Sequence, residues 1–209
     1  MPTSRSYGDA CATARALDVV GERWALLVVR ELLLGPQRFS DVRRALPGAS
    51  SNLVTDRLRE LEGHGVVARR KLPPPAASTV YELTEWGREL EPIVLALGAW
   101  AARVPLPEPA TLGTTSMLLF LRGSACPRTA ACYRLELDDR VWTVRTEPGR
   151  LTVEPGEPVA PDATIRTDPP TLNALLERPQ DLDAAIADGR IMVEGDRQAV
   201  LRLLKDHEG

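Results

Sequence analysis

Long apolar runs, histidine and cysteine are all scarce in this sequence of 209 residues. It contains no run of about eighteen apolar residues, so we expect no segment to span a membrane. The first residues also lack a signal-peptide pattern, and the protein is therefore expected in the cytosol. There, the cysteines Cys11, Cys126 and Cys132 are expected to be thiols. Because His64 and His207 are the only histidines, no zinc-binding spacing is recognisable, and no metal or cofactor is predicted.

Positive charge is not abundant either, because the formal net charge is -3, but it is unevenly distributed. Residues 1–105 carry 14 basic and 12 acidic side chains, whereas residues 106–209 carry 12 and 17. Residues 38–71 alone carry eight basic and four acidic side chains. This asymmetry indicates different functions for the two halves. The basic window favours nucleic-acid binding without proving it.

Short enzyme motifs are missing as well. The sequence has no G-x-S-x-G turn, no H-E-x-x-H pair and no phosphate-binding glycine loop. Cys126 and Cys132 do not form a C-x-x-C pair, and no two carboxylates form a convincing acid–base pair. The chain is therefore predicted not to be an enzyme.

In the first half, apolar spacing predicts helices and a hairpin in the order typical of a winged helix. The predicted elements are helices over 12–34, 41–46 and 51–63, strands over 66–71 and 79–83, and a helix over 85–103. Ser40, Ser50 and Thr84 are suited to cap the second, third and fourth helices. The proline-rich tip LPPPAAS joins the two strands and is not itself expected to be a regular strand.

The helix over 51–63 has the composition of a helix that reads DNA. Val54, Leu58 and Leu61 fall on one side and form a core stripe. The other side is polar, and asparagine pairs with adenine edges while arginine pairs with guanine. Free N–H groups at the helix start and cations on the hairpin suit phosphates. The predicted DNA contacts are Ser50, Ser51, Asn52, Thr55, Asp56, Arg57, Arg59, Arg69, Arg70 and Lys71.

A polar helix face or a basic strand alone is more often simply a solvated surface, but their order along the chain favours DNA binding. The segments GERW, RFSDVRRALPG, LRELEGHGVVAR and YELTEWG, within residues 11–102, resemble the HxlR-type winged helix regulators, which are relatives of the MarR-like repressors. The resemblance implies a homodimer on inverted repeats that joins its subunits through its first and last helices. Trp24, Trp86 and Trp100 are then dimer-contact candidates. The alternative is that they fill each subunit's own core.

The composition of the wing and the cysteine near the N-terminus are considered separately from the rest of the resemblance. The wing LPPPAASTV is unusually rich in proline and alanine, so the resemblance does not fix its contacts. Some family members carry an N-terminal cysteine that senses oxidants or electrophiles, which makes Cys11 a candidate sensor. Its position before the first predicted helix, with Arg15 one turn on, would permit a lowered pKa. A lone cysteine is more often a small buried apolar residue.

The second half follows a proline-rich connector at 104–110 and is predicted to be an α+β sheet domain. Its predicted elements are strands over 115–121, 133–137, 141–146, 151–154 and 163–167, helices over 170–178 and 181–189, a strand over 190–195 and a helix over 196–206. The segment DGRIMVEGD and its surroundings, over 162–204, resemble the sterol-carrier-protein fold. That fold holds an apolar tunnel for lipids or other hydrophobic molecules. The candidate ligand-binding residues are Phe120, Tyr133, Leu135, Trp142 and Met192, and a filled core is the alternative.

The sequence thus predicts an α+β protein with a winged helix-turn-helix domain over 1–105 and a sterol-carrier-protein-like domain over 106–209. The predicted function is that of a bacterial transcription regulator, a repressor that binds double-stranded DNA as a homodimer. A hydrophobic small molecule in the second domain, or oxidation of Cys11, would modulate it. The alternative is a lipid carrier in which the winged helix only mediates dimerisation.

Overall fold

The computed structural model describes residues 6–73, 78–101, 103–105 and 111–206. The chain divides into two compact units, residues 1–104 and residues 105–209. Both contain helices packed on a sheet, so the α+β class is confirmed. The elements of the first unit are α1 (Ala12–Val20), α2 (Ala25–Leu32), β1 (Gln37–Arg38), α3 (Phe39–Ala45), α4 (Ser51–Gly63), β2 (Val67–Lys71), β3 (Thr79–Leu83), α5 (Glu85–Arg88) and α6 (Glu91–Ala101).

The prediction of one helix over 12–34 is wrong, because the chain breaks after Val20 and forms α1 and α2. Gly21 ends α1, and Trp24 begins α2 in the left-handed region with φ 78°. Val20 and Trp24, four residues apart on the two sides of the break, both pack against the core. Periodicity alone therefore could not reveal the interruption.

The helix predicted over 85–103 is likewise divided, into α5 and α6. Pro92 explains the division, because its ring removes the N–H that would bond to Arg88 and collides with that carbonyl group. Thr84 caps α5 as predicted and accepts a hydrogen bond from the Gly87 N–H at 3.0 Å. Ser40 is not a cap, since α3 begins at Phe39 with Arg38 in the cap position.

The predicted third helix and hairpin are confirmed. Ser50 caps α4 and accepts a hydrogen bond from the Leu53 N–H at 3.2 Å. Strands β2 and β3 pair antiparallel, and the short strand β1, which sequence patterning missed, pairs with the other edge of β3. Residues 74–77 of the predicted tip lie outside the described residues.

The second unit contains a five-stranded sheet of order β6-β5-β4-β7-β8. Strands β4 and β7 pair in parallel, and the other neighbours are antiparallel. The elements are α7 (Thr114–Ser124), β4 (Ala131–Leu137), β5 (Arg140–Glu147), β6 (Arg150–Pro155), β7 (Ala163–Thr167), α8 (Pro169–Glu177), a 3₁₀ turn (Pro179–Asp181), α9 (Leu182–Ala187), β8 (Met192–Gly195) and α10 (Arg197–Lys205).

One predicted strand of this unit, 115–121, is wrong because the segment lies within helix α7. Met117, Leu118 and Leu121 are buried at the three- and four-residue spacing of a helix face. A short run of apolar residues fits a buried strand and a buried helix equally well, which is why the sequence was ambiguous here. Residues 106–110 of the predicted connector lie outside the described residues.

The remaining strands and helices of the second unit form as predicted, within a few residues at their ends. One face of the sheet is buried beneath helices, and the other carries charged side chains. Tyr133 on the buried face donates a hydrogen bond from its hydroxyl group to the Ala199 carbonyl at 3.0 Å. This bond attaches the sheet to α10.

Candidate nucleic-acid interface

Helices α3 and α4 and the turn between them form a helix-turn-helix. Val54, Leu58 and Leu61 are buried and fix α4 to the core of the first unit. At the start of α4, Arg43 of α3 donates a hydrogen bond from Nε to the Ser51 hydroxyl group at 3.4 Å. The core stripe thus determines which side of α4 faces away from the protein.

The outward side of α4 carries Asn52, Asp56 and Arg59, which are all exposed. Within the described part of the chain, neither Asn52 nor Arg59 makes a side-chain hydrogen bond or an ion pair. Thr55 is half-buried and donates its hydroxyl group to the Ser51 carbonyl at 2.9 Å. The structure therefore brings together an amide and a guanidinium that are both available to base edges.

Arg57 is different from its neighbours on α4. Its side chain is only 12% exposed and forms ion pairs with Glu60 of the same helix and, at 3.5 Å, with Glu22. The sequence analysis placed Arg57 among the predicted DNA contacts, because the sequence alone does not show that Arg57 has carboxylate partners within the protein. Its charge is already neutralised within the protein.

The wing, β2 and β3, presents its cations on two sides. Arg69 and Lys71 alternate with Arg70 along β2 and are exposed. Arg70 donates from Nε and Nη2 to the Glu82 carboxylate at 2.9 and 3.2 Å. The hydrogen bonds with Glu82 raise the pKa of Arg70, and the same bonds lower the pKa of Glu82. Of these three cations, Arg70 is the one already engaged by a carboxylate.

Arg38 and Arg43 were missed as candidate contacts, although the basic window from 38 to 71 included both. Arg38 lies exposed on β1 and donates from Nε to the Ser78 hydroxyl group at 3.1 Å, beside the wing. Arg43 is placed next to the N-terminus of α4 by its bond to Ser51. Strand β1 has only two residues, so no pattern in the sequence could have placed Arg38 next to the hairpin.

The arrangement of helix-turn-helix and basic wing agrees with comparisons to known proteins. The family model described as HxlR-like helix-turn-helix matches residues 19–107. The chain is 41% identical over 87 residues to the uncharacterized HTH-type transcriptional regulator YvaP of Bacillus subtilis, covering 42% of this chain and 81% of that relative. This chain belongs to the HxlR-like helix-turn-helix family. It is a transcriptional regulator of the HxlR type, as the sequence resemblance implied.

Other relatives match the same region. The HTH-type transcriptional regulator YodB of Bacillus subtilis is 35% identical over 86 residues, covering 41% of this chain and 77% of YodB. The solved structure of the redox regulator HypR in its oxidized form is 37% identical, covers 44% of this chain and 94% of HypR, and gives a TM-score of 0.41.

The second unit matches a different family. The model of the SCP-2 sterol transfer family matches residues 123–205. The second unit is thus an SCP-2 domain appended to an HxlR-like domain.

Apolar side chains are exposed on the first and last helices of the HxlR-like domain. Neither α1 nor α6 buries any residue, and a groove of about 420 Å³ lies between α1 and the α5–α6 segment. Trp86 lines this groove and is half exposed, and Trp100 on α6 is 75% exposed. Trp24 instead packs against its own core. Of the three tryptophans, Trp86 and Trp100 remain suited to contact a second copy.

Cys11 occupies the cap position of α1 and is exposed. The backbone N–H groups of Ala14 and Thr13 lower the pKa of the Cys11 thiol, although neither forms a full capping hydrogen bond. The lowering comes from the start of the helix and not from the nearby Arg15. The alternative that Cys11 is a buried apolar residue is not what the structure shows.

The candidate ligand residues of the SCP-2 domain do not form one group. Tyr133, Leu135 and Trp142 share the buried face of the sheet, with Leu135 and Trp142 opposite each other on β4 and β5. Met192 pairs with Arg166 on the exposed face, because Val193 occupies the register position that faces inward. Phe120 is exposed on α7. The indole Nε1 of Trp142 is buried and has no hydrogen-bond partner among the described residues.

The described residues contain no helix that is long and apolar enough to cross a membrane. Over the same residues, no three His, Cys, Asp or Glu side chains lie close enough together to hold a metal ion.

Proposed function

We propose that this HxlR-type regulator binds an inverted repeat in double-stranded DNA as a homodimer and represses transcription. The observation that carries the proposal is the outward side of α4, where Asn52 and Arg59 are exposed and have no partner in the described structure. Side chains of this kind pair with adenine and guanine in the major groove, which admits one helix. Such a surface supports a role in the regulation of transcription.

Phosphate contacts would place α4 in the groove. The first-turn N–H groups of α4 lie beside Ser51, with that of Leu53 capped by Ser50, and Arg43 adds a positive charge at that end. Arg69 and Lys71 extend the positive surface along the wing. Such contacts position the protein on the duplex without reading its sequence. Arg57 and Arg70 contribute less, because each already pairs with a carboxylate.

Dimerisation would bury the apolar side chains of α1 and α6. Ile93, Leu97 and Trp100 are all exposed on α6, and Leu17 is exposed on α1. An apolar surface of this kind is typical of a contact between proteins. A two-fold dimer places two copies of α4 about one helical turn of DNA apart, which matches an inverted repeat.

Two signals would regulate the dimer. The exposed Cys11 has a lowered pKa, and the thiolate is the form that oxidants and electrophiles attack. Cys11 directly precedes Ala12, which lines the apolar groove next to α6. A modification there would disturb the surface on which the dimer depends.

A hydrophobic molecule in the SCP-2 domain is the second signal, and the indole N–H of Trp142, which has no partner among the described residues, would donate to a polar atom of that molecule.

Selection from a pool of random duplexes tests the proposed function. The protein is expected to enrich an inverted repeat, and Arg59→Ala is expected to lose the preference at one position of each half-site. Arg150→Ala removes the same charge from the SCP-2 domain and serves as the matched control. The proposed function would be contradicted if the protein enriched no motif from the pool. The role of Arg59 would be contradicted if Arg59→Ala enriched the same motif as the unmodified protein.

A lipid carrier with a winged helix used only for dimerisation is the second candidate. The match of residues 123–205 to the SCP-2 sterol transfer family favours it. Native mass spectrometry of freshly purified protein would reveal an apolar molecule bound to the dimer. A carrier that binds such a molecule and enriches no duplex would replace the regulator proposal.

A further inference from the structure

The segment Gly21–Trp24, which joins α1 to α2 and is called the elbow below, is restricted in residue type at one end and in backbone conformation at the other. At Gly21, a side chain would overlap the carbonyl oxygen of Leu17, so only glycine fits. At the other end, Trp24 has φ 78°, a left-handed conformation that is costly for a bulky residue. Such a conformation persists only where surrounding contacts hold it.

Trp24 is held by the turn that precedes the recognition helix α4. A Cβ atom at Gly48, in that turn, would lie 2.9 Å from the edge of the Trp24 ring, and among the described residues beyond its chain neighbours no other residue approaches it within 4 Å. The guanidinium of Arg23 lies 5.8 Å from the centre of the same ring. The elbow therefore packs tightly against the start of the helix that would read DNA.

A second contact joins the elbow to the middle of α4. Glu22 forms an ion pair with Arg57 at 3.5 Å, and the Arg57 side chain is only 12% exposed. Glu22 itself is 62% exposed, so water screens the pair from one side, and its value lies in joining the elbow to α4 more than in its strength. Glu60 is the other partner of Arg57, but it lies on α4 itself and cannot fix α4 to anything else.

We propose that the elbow positions the recognition helix relative to α1, with Glu22, Trp24 and Arg57 as the positioning residues. In the homodimer, this position sets the spacing of half-sites that the protein accepts. The second statement rests on the proposed function, in which α1 joins the two subunits and α4 contacts DNA. Because the dimer is symmetric, a shift at each elbow moves both recognition helices, and their separation changes by the sum of the two movements.

Duplexes with identical half-sites and spacers that differ by single base pairs test the effect on DNA. The protein is expected to prefer one spacer, and Glu22→Gln is expected to reduce that preference by about threefold to tenfold. Affinity for an isolated half-site should stay unchanged, which a general loss of structure would not allow. Glu60→Gln removes the other partner of Arg57 and should keep the preference. If Glu22→Gln keeps the full spacer preference, the elbow does not set the spacing.

Gly48→Ala perturbs the other contact by placing a methyl group against the Trp24 ring. It is expected to shift or broaden the preferred spacer, whereas Gly63→Ala, which adds its methyl group in open space, should not. Identical spacer profiles for the two variants would overturn the role of Trp24.

A measurement without DNA separates the elbow from the proposed function. Spin labels at Thr13→Cys on α1 and Glu62→Cys on α4, with the native cysteines replaced by serine, report the distance between the two helices. Glu22→Gln is expected to broaden or shift this distance distribution, and Glu60→Gln is not. An unchanged distribution in Glu22→Gln would overturn the positioning role even for a protein that binds DNA. A changed distribution in a protein that binds no duplex would support the elbow while the proposed function fails.

Discussion

The two units of this chain treat their large apolar side chains differently. In the HxlR-like domain, Trp86, Ile93, Leu97 and Trp100 remain exposed on the last two helices. In the SCP-2 domain, the sheet buries its largest side chains, Trp142 among them, beneath helices. The first domain thus leaves a surface that a second protein surface would cover, whereas the second domain covers its main apolar face by itself.

The same contrast holds for their arginines. On the exposed face of the SCP-2 sheet, Arg134, Arg145 and Arg166 each pair with a glutamate. The hydrogen bonds with Glu157 and Glu136 raise the pKa of Arg134. In the HxlR-like domain, Arg59 and Arg69 have no such partner among the described residues. Arginines that already pair with a glutamate are less available to a phosphate or a base than Arg59 and Arg69 are.

The largest expected effect concerns the buried face of the SCP-2 sheet. Trp142→Ala should lower the free energy of unfolding of that domain by about 3–5 kcal/mol, because it removes a large buried side chain and leaves a cavity. Urea unfolding followed by circular dichroism measures the loss. Trp86→Ala, at a half-exposed ring, should cost far less, and equal losses for the two variants would remove the contrast between the domains.

Dimerisation is expected to depend on α6. Trp100→Asp should weaken association of the subunits by about thirtyfold or more, the effect typical of an aromatic residue central to an interface. Sedimentation at several concentrations measures the change. Phe120→Asp, at an exposed aromatic residue of the SCP-2 domain, is the matched control. A dimer that persists unchanged in Trp100→Asp would exclude α6 from the interface.

Substitutions in the wing should show which of its cations contact phosphate groups of the DNA. Arg69→Ala should reduce the slope of log affinity against log salt by about one, because one phosphate contact is lost. Arg70→Ala should change it less, because Glu82 already neutralises Arg70. Fluorescence anisotropy with a labelled duplex at several salt concentrations gives both slopes. A larger effect for Arg70→Ala would mean that its ion pair breaks on binding.

Removing the Glu82 carboxylate, which pairs with Arg70, should strengthen duplex binding instead of weakening it. Glu82→Gln frees Arg70 and should tighten duplex binding by a few-fold at low salt, with a slope increased by at most about one. Glu85→Gln, an exposed site two residues beyond β3, controls for the general loss of negative charge. Weaker binding in Glu82→Gln than in Glu85→Gln would show that the ion pair supports the shape of the wing.

The smallest expected effect is the shift at Cys11. The start of α1 lowers the pKa of its thiol below the ordinary 9.0, so alkylation should reach its half-maximal rate at a pH below that value. A protein with Cys126→Ser and Cys132→Ser isolates the reaction, which mass spectrometry can follow. A midpoint at or above 9.0 would argue against Cys11 as a reactive sensor.

Several parts of the fold followed from the sequence because local chemistry determines them. Ser50 caps α4, and the β-prone runs of the hairpin pair as expected. Breaks within helices were not predictable from periodicity, because Val20 and Trp24 keep a four-residue apolar spacing across Gly21. Pro92 was a readable signal for the break between α5 and α6, since it removes a helix hydrogen bond.

Only part of the candidate DNA-binding site could be predicted from the sequence. Which side chains are available to DNA depends on ion-pair partners that are distant along the chain. The helix period placed Asn52 and Arg59 outward. It could not show that Glu22, 35 positions before Arg57, pairs with it, or that Glu82 engages Arg70. On the SCP-2 sheet, Met192 is a candidate ligand residue that the register of β8 places on the exposed face, and this register was not readable from the sequence.

Whether α4 contacts DNA is tested most directly by hydroxyl-radical footprinting of side chains, with mass spectrometry, on the protein with and without its selected duplex. We predict that DNA protects the exposed side chains of α4 and β2, within residues 50–71, and leaves the exposed face of the SCP-2 sheet unprotected. Protection of that sheet face, with α4 as reactive as in the free protein, would contradict the account.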